Sequence, residues 1–576
     1  MPTTSRADGG AHDALGEPDA PADAVVDAAD GANGAPGEQA SPPRFWSTPA
    51  FMIIAAATVI GLALRAFLLF TPGFLTSGTV EYDDGVYLGA AIQLLHGSLP
   101  YSGYAFVQPP GILIIALPFA VIAHFWSTAA GLAAARVVTV VVSAVAIPLV
   151  GRLVRHKGPL VMVVTCGFFA VYPADILTAR TLLLEPWMNL LCLLAANAAF
   201  SRGRLASPRR LAWAGVALGF ATAVKFWAGA PAIVLLACCL LTGEQRARRV
   251  RCYVPAAIVG FVIPVAALAG DAPLAFIRST VFDQAARLGE STPLNVRAAY
   301  LTGVMDIINA AGKLSWFPGV KNSALAAGST GIMINAGIGI TSGIVALVVL
   351  AVIFVAYFRR PRSRSPLEWF AFGVAALATV GVSAYSAFFY HYPDFPAPWL
   401  AIVLGVTAGA ACGALGRVSS RGIVLRVATG LVAVAVIAVA VLEGTEMSGV
   451  TTPDTPQAIE RLIPKGSCVF SDQVSFTLAA DRFRPSEPGC PAVMDSLATT
   501  LVNGGSDIVP GSDVNNPQVT ATWEKLLGHT QYVWLTSGYW ARIPWSTPFS
   551  TWFWQHYRKV ATFPGYGNSG LYERYR

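Results

Sequence analysis

Charge is what this sequence has least of. Of its 576 residues, 12% are Asp, Glu, Lys or Arg, against 55% hydrophobic, and the mean hydropathy is +0.57. Soluble domains carry about 25% charge, so a soluble globular protein is excluded. Nucleotide-binding and zinc-protease signatures are missing too: there is no P-loop, no GxGxxG before a strand and no HExxH. The eight cysteines show no metal-ligand spacing, and adjacent Cys238 and Cys239 inside an apolar run read as packing residues. No series of Asp, Glu and His passes through the mid-span region, as a proton-coupled pump would require. No internal repeat of the transporter kind is detectable.

What is present is a series of apolar runs of roughly 17–25 residues, the length that crosses about 30 Å of hydrocarbon. They lie near 50–70, 133–151, 159–175, 184–200, 211–224, 227–241, 252–270, 332–357, 367–390, 396–416 and 423–443. Basic clusters at 152–157, 202–210, 246–251, 359–364 and 417–426 mark one side as cytoplasmic. That pattern accounts for the net charge of +7 without a nucleic-acid partner. A further apolar segment, 110–127, breaks the parity if it spans. It reads as an interfacial or re-entrant helix, leaving about 11 spans and outer loops at 71–132, 176–183, 271–331 and 391–395.

Residues 1–44 are rich in Ala, Gly, Pro and Asp and poor in large apolar residues, the composition of a disordered cytoplasmic tail. Residues 45–443 form the membrane module. After 444 the composition changes. GSCVFSD, QYVWLTS and KVATF read as short strands, SFTLAADR and VTATWEKLLG as helices. This predicts an α/β domain at 444–576 on the outer face, where a Cys468–Cys490 disulfide is expected.

The first outer loop carries EYDDGVYLGAAIQLLHGSLPYSGYAFVQPPG at 81–111. Two adjacent acids, Asp83 and Asp84, sit at a membrane boundary beside Tyr82, Tyr87 and Tyr101. One acid suffices to cap a helix; a pair there points to a site. Arg180 and Glu185 fall at one outer helix end, where they read equally as a buried ion pair. Lys225 lies between two apolar runs and needs an anionic partner or water. Arg65, near the outer end of the first span, reads as snorkelling or pointing into the site. Arg287 and His391 are further candidates in outer loops.

In order and spacing these elements resemble the GT-C integral-membrane glycosyltransferases, in the group holding the protein O-mannosyltransferases and the bacterial transferases that place aminoarabinose on lipid A. The resemblance covers most of 50–576. Asp83-Asp84-Gly-Val-Tyr87 is similar to the family's Asp-Glu-x-x-Tyr, with Asp84 where the family has Glu. Gln108-Pro109-Pro110 resembles a Pro-containing turn into the next helix, where some members have Lys in place of Gln108. Glu185-Pro186 resembles an acid-Pro pair, Ala-Val-Lys225 a Thr-Lys element, and Phe282-Asp283 to Arg287 a loop element ending in Arg. Ser471-Asp472 after a strand, and a closing strand near 570–574, resemble the family's C-terminal domain. The Trp-Trp-Asp element of oligosaccharyltransferases is absent.

The resemblance implies a polytopic α-helical membrane protein with a small C-terminal extracytoplasmic α/β domain. It implies transfer of a sugar from a polyprenyl-monophosphate donor to a glycan, lipid or protein acceptor on the outer face of the cell membrane, with inversion. Asp83 is then the catalytic base. Asp84 orients the acceptor or binds a divalent metal, though the sequence requires no cofactor. Lys225 faces the carrier phosphate, and Tyr87, Gln108, Arg180, Glu185, Arg287 and His391 bind substrate. Hexosyl and pentosyl donors stay open. The competing readings are a lipid-linked sugar transporter or flippase, and an envelope assembly scaffold. The transporter reading needs neither two acids in one outer loop nor an outer domain, and the scaffold reading would use that domain as a binding module.

Overall fold

A computed structural model describes residues 49–303, 355 and 364–575, apart from 72, 76–80, 244, 286–293, 386–387, 416–420, 448–454, 487–488, 506–515, 537–542, 544 and 564–568. Helices come first. They are α1 (Pro49–Ala66, continued by a tighter turn to Phe70), α2 (Asp83–Leu95), α3 (Gly111–Phe125), α4 (Thr128–Val154) and α5 (Pro159–Ala170). Next come α6 (Pro173–Thr178), α7 (Leu184–Ala199), α8 (Pro208–Val224), α9 (Gly229–Leu241) and α10 (Arg246–Ala269). A two-residue hairpin, β1 (Phe200–Ser201) with β2 (Arg204–Leu205), joins α7 to α8. Further long helices follow at Pro366–Ala384, Ala397–Leu415 and Arg421–Met447. Several open with proline in the first turn, where its missing N–H costs nothing.

Five described stretches are long and apolar enough to cross a membrane: Pro49–Phe70, Thr128–Lys157, Arg246–Ala269, Pro366–Ala384 and Gly422–Gly444. Gly111–Phe125, Pro159–Ala170, Phe226–Leu241 and Ala397–Cys412 are apolar but shorter. The tail at 1–44 and nearly all of the run at 332–357 lie outside the described residues.

The main helical core includes Ile147, Phe169, Cys192, Phe370 and Trp399, and Cys238 and Cys239 are buried in it, as packing residues should be. Arg65 neither snorkels nor reaches the site. It is fully buried, donating to Ser143 Oγ at 2.7 Å, to the Gly61 and Ala170 carbonyls at 2.8 and 2.9 Å, and pairing with Asp175. A buried guanidinium survives only when its five donors find acceptors, and here they clamp α1, α4 and α6.

The C-terminal residues form a four-stranded sheet of β3 (Val469–Ser471), β4 (Tyr532–Leu535), β5 (Tyr557–Ala561) and β6 (Gly570–Arg574), in the order β3-β4-β6-β5. β3 and β4 are parallel; the other pairs are antiparallel. The apolar strand segments read from the sequence fall on β3, β4 and β5, and the two helical segments fall on Val474–Ala479 and Pro517–Gly528. Trp523, Val533, Phe553 and Tyr572 fill the core beneath the sheet. A Cys468–Cys490 disulfide, Cα–Cα 5.6 Å, ties the start of β3 to the segment before the helix Ser496–Val502.

This C-terminal layer packs on α2 and on the start of α4. Tyr82 donates to Asp495 Oδ1 at 2.7 Å and accepts from the Ser496 N–H at 2.9 Å. Asp481 accepts from the Thr128 N–H at 2.9 Å. Gly85 lets the backbones meet: a Cβ there would stand 2.7 Å from Ser475 Cα. The 15-residue α3 is about 22 Å long. Its end touches the same layer, where Arg484 donates to the His124 carbonyl at 3.2 Å. Its start, at Gly111, would put a Cβ 2.6 Å from the Ala223 carbonyl oxygen, beside Lys225.

Two measurements test this arrangement. A membrane-impermeant thiol reagent added outside intact cells should label Ser98→Cys but not Arg155→Cys; labelling of both would overturn the sidedness. Non-reducing peptide mapping should recover Cys468 joined to Cys490. Replacing both by Ala should lower the stability of the C-terminal layer by about 3 kcal/mol, from loop closure over 22 residues.

Candidate active site

α2 opens with both acids in its first turn, where carboxylates meet the helix dipole favourably. Neighbouring helical positions are about 100° apart, so the two side chains diverge. Asp84 turns inward and is fully buried. Its Oδ2 accepts from Arg136 Nε at 3.1 Å and Nη2 at 2.8 Å, while Arg136 Nη1 donates to the Phe74 and Leu75 carbonyls, each at 3.0 Å. Asp84 therefore pins α2 to α4 and to the chain leaving α1. Its Oδ1 is buried without a hydrogen bond among the described residues. Asp83 stays half-buried, and Tyr87, one turn on, donates its phenol O–H to Asp83 Oδ2 at 3.2 Å.

The second half of the site is built where two helices begin and end. α7 starts with Glu185 in its first turn, ahead of Pro186. α8 ends at Val224, and Lys225 follows with extended backbone before a short turn leads into α9. The lysine thus leaves the helix axis at a C-terminus, where the dipole favours a cation. Its Nζ lies 2.6 Å from Glu185 Oε1 and over the rings of Trp227 and Tyr392, at 3.8 and 4.5 Å. His391 Nδ1 is 3.2 Å from the same Glu185 oxygen. One turn along α7, Asn189 donates to the Asp394 carbonyl at 2.9 Å and to Asp394 Oδ1 at 3.1 Å. Glu185 with His391, and Asn189 with Asp394, are two rungs joining α7 to the 391–394 turn.

The halves meet at Glu81. Burial first, then the charges of Asp83, Glu185 and Tyr392, raise the Tyr87 phenol well above its usual value. Tyr390 donates to Glu81 Oε2, and the Tyr82 N–H donates to Glu81 Oε1 at 2.9 Å. Burial and then the Asp83 charge push the Glu81 carboxyl up, against the pull of His391. Burial, then Glu185, likewise raises Asp394.

Of the residues singled out in the sequence, Asp83, Tyr87, Glu185, Lys225 and His391 converge. Glu185 turns to Lys225 and His391, from other parts of the chain. Arg180 is buried in the turn before α7. Gln108 sits at the turn into α3, its carbonyl accepting from the Tyr101 hydroxyl at 2.6 Å. Arg287 lies outside the described residues. The sequence reading missed Glu81, Arg136, Asn189, Trp227, Tyr390, Tyr392 and Asp394. Among the described residues no three His, Cys, Asp or Glu side chains converge as a metal-ligand set.

No family model matches the chain, and no curated protein matches it by sequence. Solved structures do match by shape. ArnT from Cupriavidus metallidurans, bound to undecaprenyl phosphate, aligns over 90% of this chain and 97% of its own, at 13% identity and TM-score 0.54. The archaeal oligosaccharyltransferase AglB from Archaeoglobus fulgidus, in complex with an inhibitory peptide and a dolichol-phosphate, aligns over 91% of this chain and 74% of its own, at 14% identity and TM-score 0.51. The chain shares its fold with these two proteins. Within this fold the acid-bearing α2 follows the first long helix, and the C-terminal layer packs on it.

The Arg136–Asp84 pair yields a clear expectation. Arg136→Leu leaves a buried carboxylate uncompensated and should destabilise the protein by roughly 3–5 kcal/mol. Arg136→Leu combined with Asp84→Leu should recover much of that loss. Thermal unfolding of purified protein in detergent measures both.

Proposed function

We propose that this chain is a membrane glycosyltransferase that moves a sugar from a polyprenyl-monophosphate donor to a cell-envelope acceptor, with inversion and with Asp83 as the base. The observation that carries the reading is that the Glu81–Tyr390 hydrogen bond joins the segment bearing Asp83 and Tyr87 to the Glu185–Lys225–His391 cluster, under the C-terminal layer of a GT-C fold. The bound undecaprenyl phosphate of ArnT and the dolichol-phosphate of AglB support a lipid-phosphate donor. In this reading the C-terminal residues form an extracytoplasmic α/β domain, and the chemistry lies at the outer face.

An acceptor hydroxyl becomes a nucleophile as it loses its proton. Asp83 is half-buried and in reach of solvent, and its Oδ2 takes that proton while the acceptor oxygen bonds to the anomeric carbon. Tyr87 holds the carboxylate in place. On the opposite side of the sugar the bond from the anomeric carbon to the phosphate oxygen breaks, and the polyprenyl phosphate departs with added negative charge. Lys225 stabilises that charge. Glu185 keeps the ammonium aimed and the Trp227 and Tyr392 rings exclude water, so the cation is preorganised for the transition state.

The test uses membranes containing the protein and a panel of radiolabelled polyprenyl-phosphate sugars, hexosyl and pentosyl. Asp83→Asn should lower transfer by roughly 10²- to 10⁴-fold while donor binding persists, because Asn accepts a hydrogen bond but takes no proton. Lys225→Ala should weaken donor binding together with turnover, since it removes a charge facing phosphate before and during reaction. Wild-type rates in folded Asp83→Asn would sink the base assignment. Label transfer by neither wild type nor variants, with donor movement across the bilayer instead, would favour the transporter reading.

A further inference from the structure

Away from the active site, α2 and α3 end side by side at the rim of the C-terminal layer. The His96 and His124 rings stand 5.4 Å apart. Arg484 reaches over both: Nη1 donates to the His124 carbonyl at 3.2 Å, and Nη2 is 3.4 Å from His96 Nε2. His96 Nδ1 is 2.7 Å from the Ile92 carbonyl. All three side chains are exposed, and among the described residues none pairs with a carboxylate. The nearby acid, Asp481, is already held by Lys465 at 2.7 Å and by the Thr128 N–H.

Directly below this cluster the surface changes character. Phe125 and Trp126 are 72% and 74% exposed. From them two apolar stripes run away from the C-terminal layer. On α3 the exposed apolar positions are Ile114, Pro118, Val121 and Phe125; on α4 they are Val137, Val138, Val141 and Val145. Both sets recur at three- and four-residue intervals, so each lies on one helix face. α4 belongs to a stretch that can cross a membrane. A cationic cap, an aromatic collar and an apolar stripe stacked in that order match one amphiphile end to end: phosphate, glycerol, acyl chain.

We propose that this corner is a binding site for an anionic phospholipid of the bilayer, its phosphate on Arg484 with His96 and His124, and its acyl chain along Val138, Val141 and Val145. The site is separate from the Lys225 cluster, so the bound lipid is structural rather than the sugar donor. It would hold the α3–α4 elbow and the C-terminal layer at the membrane surface.

The experiment is photo-cross-linking of the full chain in nanodiscs containing a headgroup-diazirine phosphatidylglycerol, with phosphatidylcholine bearing the same group as the control, followed by peptide mapping. Phosphatidylglycerol should label the segments around 121–127 and 484, and phosphatidylcholine should not. Arg484→Gln should reduce that labelling about fivefold, the effect of one cation near a charged headgroup, while Arg484→Lys should retain it. Trp126→Ser, a change at an exposed position beyond the His96–His124–Arg484 cluster, should also reduce it. Equal labelling by the two lipids, or labelling unchanged in Arg484→Gln, overturns the proposal. So does displacement by stoichiometric undecaprenyl phosphate, which would make the corner part of the donor's path. None of these readouts depends on sugar transfer.

Discussion

A charge buried among apolar helices must be matched, because leaving it alone in low dielectric is costlier than any single packing contact. Among the described residues three buried pairs stand out: Arg65 with Asp175, Arg136 with Asp84, and Lys225 with Glu185. Each joins elements far apart in sequence. The first clamps α1, α4 and α6 inside the bundle. The second fixes α2 against α4 at its edge. The third binds the end of α8 to the start of α7 at the site. Read outward, the pairs become steadily less enclosed by hydrogen bonds. Arg65 spends its donors on Ser143, three carbonyls and Asp175, whereas Lys225 has one carboxylate and two ring faces. An ammonium whose remaining donors face rings is less committed than a guanidinium whose donors are all taken, and this gradient sets Lys225 apart from Arg65.

The two adjacent acids show the same logic at one step of sequence. Asp83 and Asp84 have identical chemistry, and helical rotation alone assigns them different surroundings. Asp84 is spent on Arg136; Asp83 remains half-buried beside a tyrosine. The register depends on where α2 starts, and that is set by Tyr82, whose hydroxyl bridges Asp495 and the Ser496 N–H. The C-terminal layer therefore acts on the site without contributing an acid to it. It fixes the rotation of α2 and so determines which carboxylate faces out.

Much of this was legible in the sequence. Composition and run length gave the helices and the change to sheet after 444. The boundary position of Asp83 and the isolation of Glu185 and Lys225 in apolar sequence marked them as residues needing partners. The partners themselves were not legible. Arg136 lies 52 residues from Asp84, and Tyr390 lies 309 residues from Glu81. Periodicity speaks only of neighbours on one helix. Yet local signals existed. Arg136 lies in an apolar run with no adjacent acid, just as Lys225 does. Glu185 and Asn189 share a face at four-residue spacing, and His391 and Asp394 are three apart; two polar residues at helical spacing in apolar surroundings call for a matching pair elsewhere. Arg65 misled because position near a helix end suggests snorkelling, while Asp175, its partner, sits in a short helix between longer ones.

The break at Lys225 makes the site possible. Were α8 and α9 one continuous helix, residue 225 would lie on a regular helical surface, its backbone N–H and carbonyl committed to the ladder and its side chain directed along the axis. Extended backbone at this one residue frees the lysine to meet Glu185, and the short turn after it brings Trp227 under the ammonium. Irregular backbone at membrane depth is tolerated only where protein or a polar cavity satisfies it. Here the Lys225 N–H still reaches the Ala221 carbonyl and its own carbonyl accepts from Ala228, so the interruption leaves neither group unpaired. Gly111 completes the arrangement: the start of α3 lies against Ala223 and Val224 because no side chain intervenes. The loop that begins with Asp83 therefore ends against the helix terminus that presents Lys225, and one segment of chain spans both halves of the site.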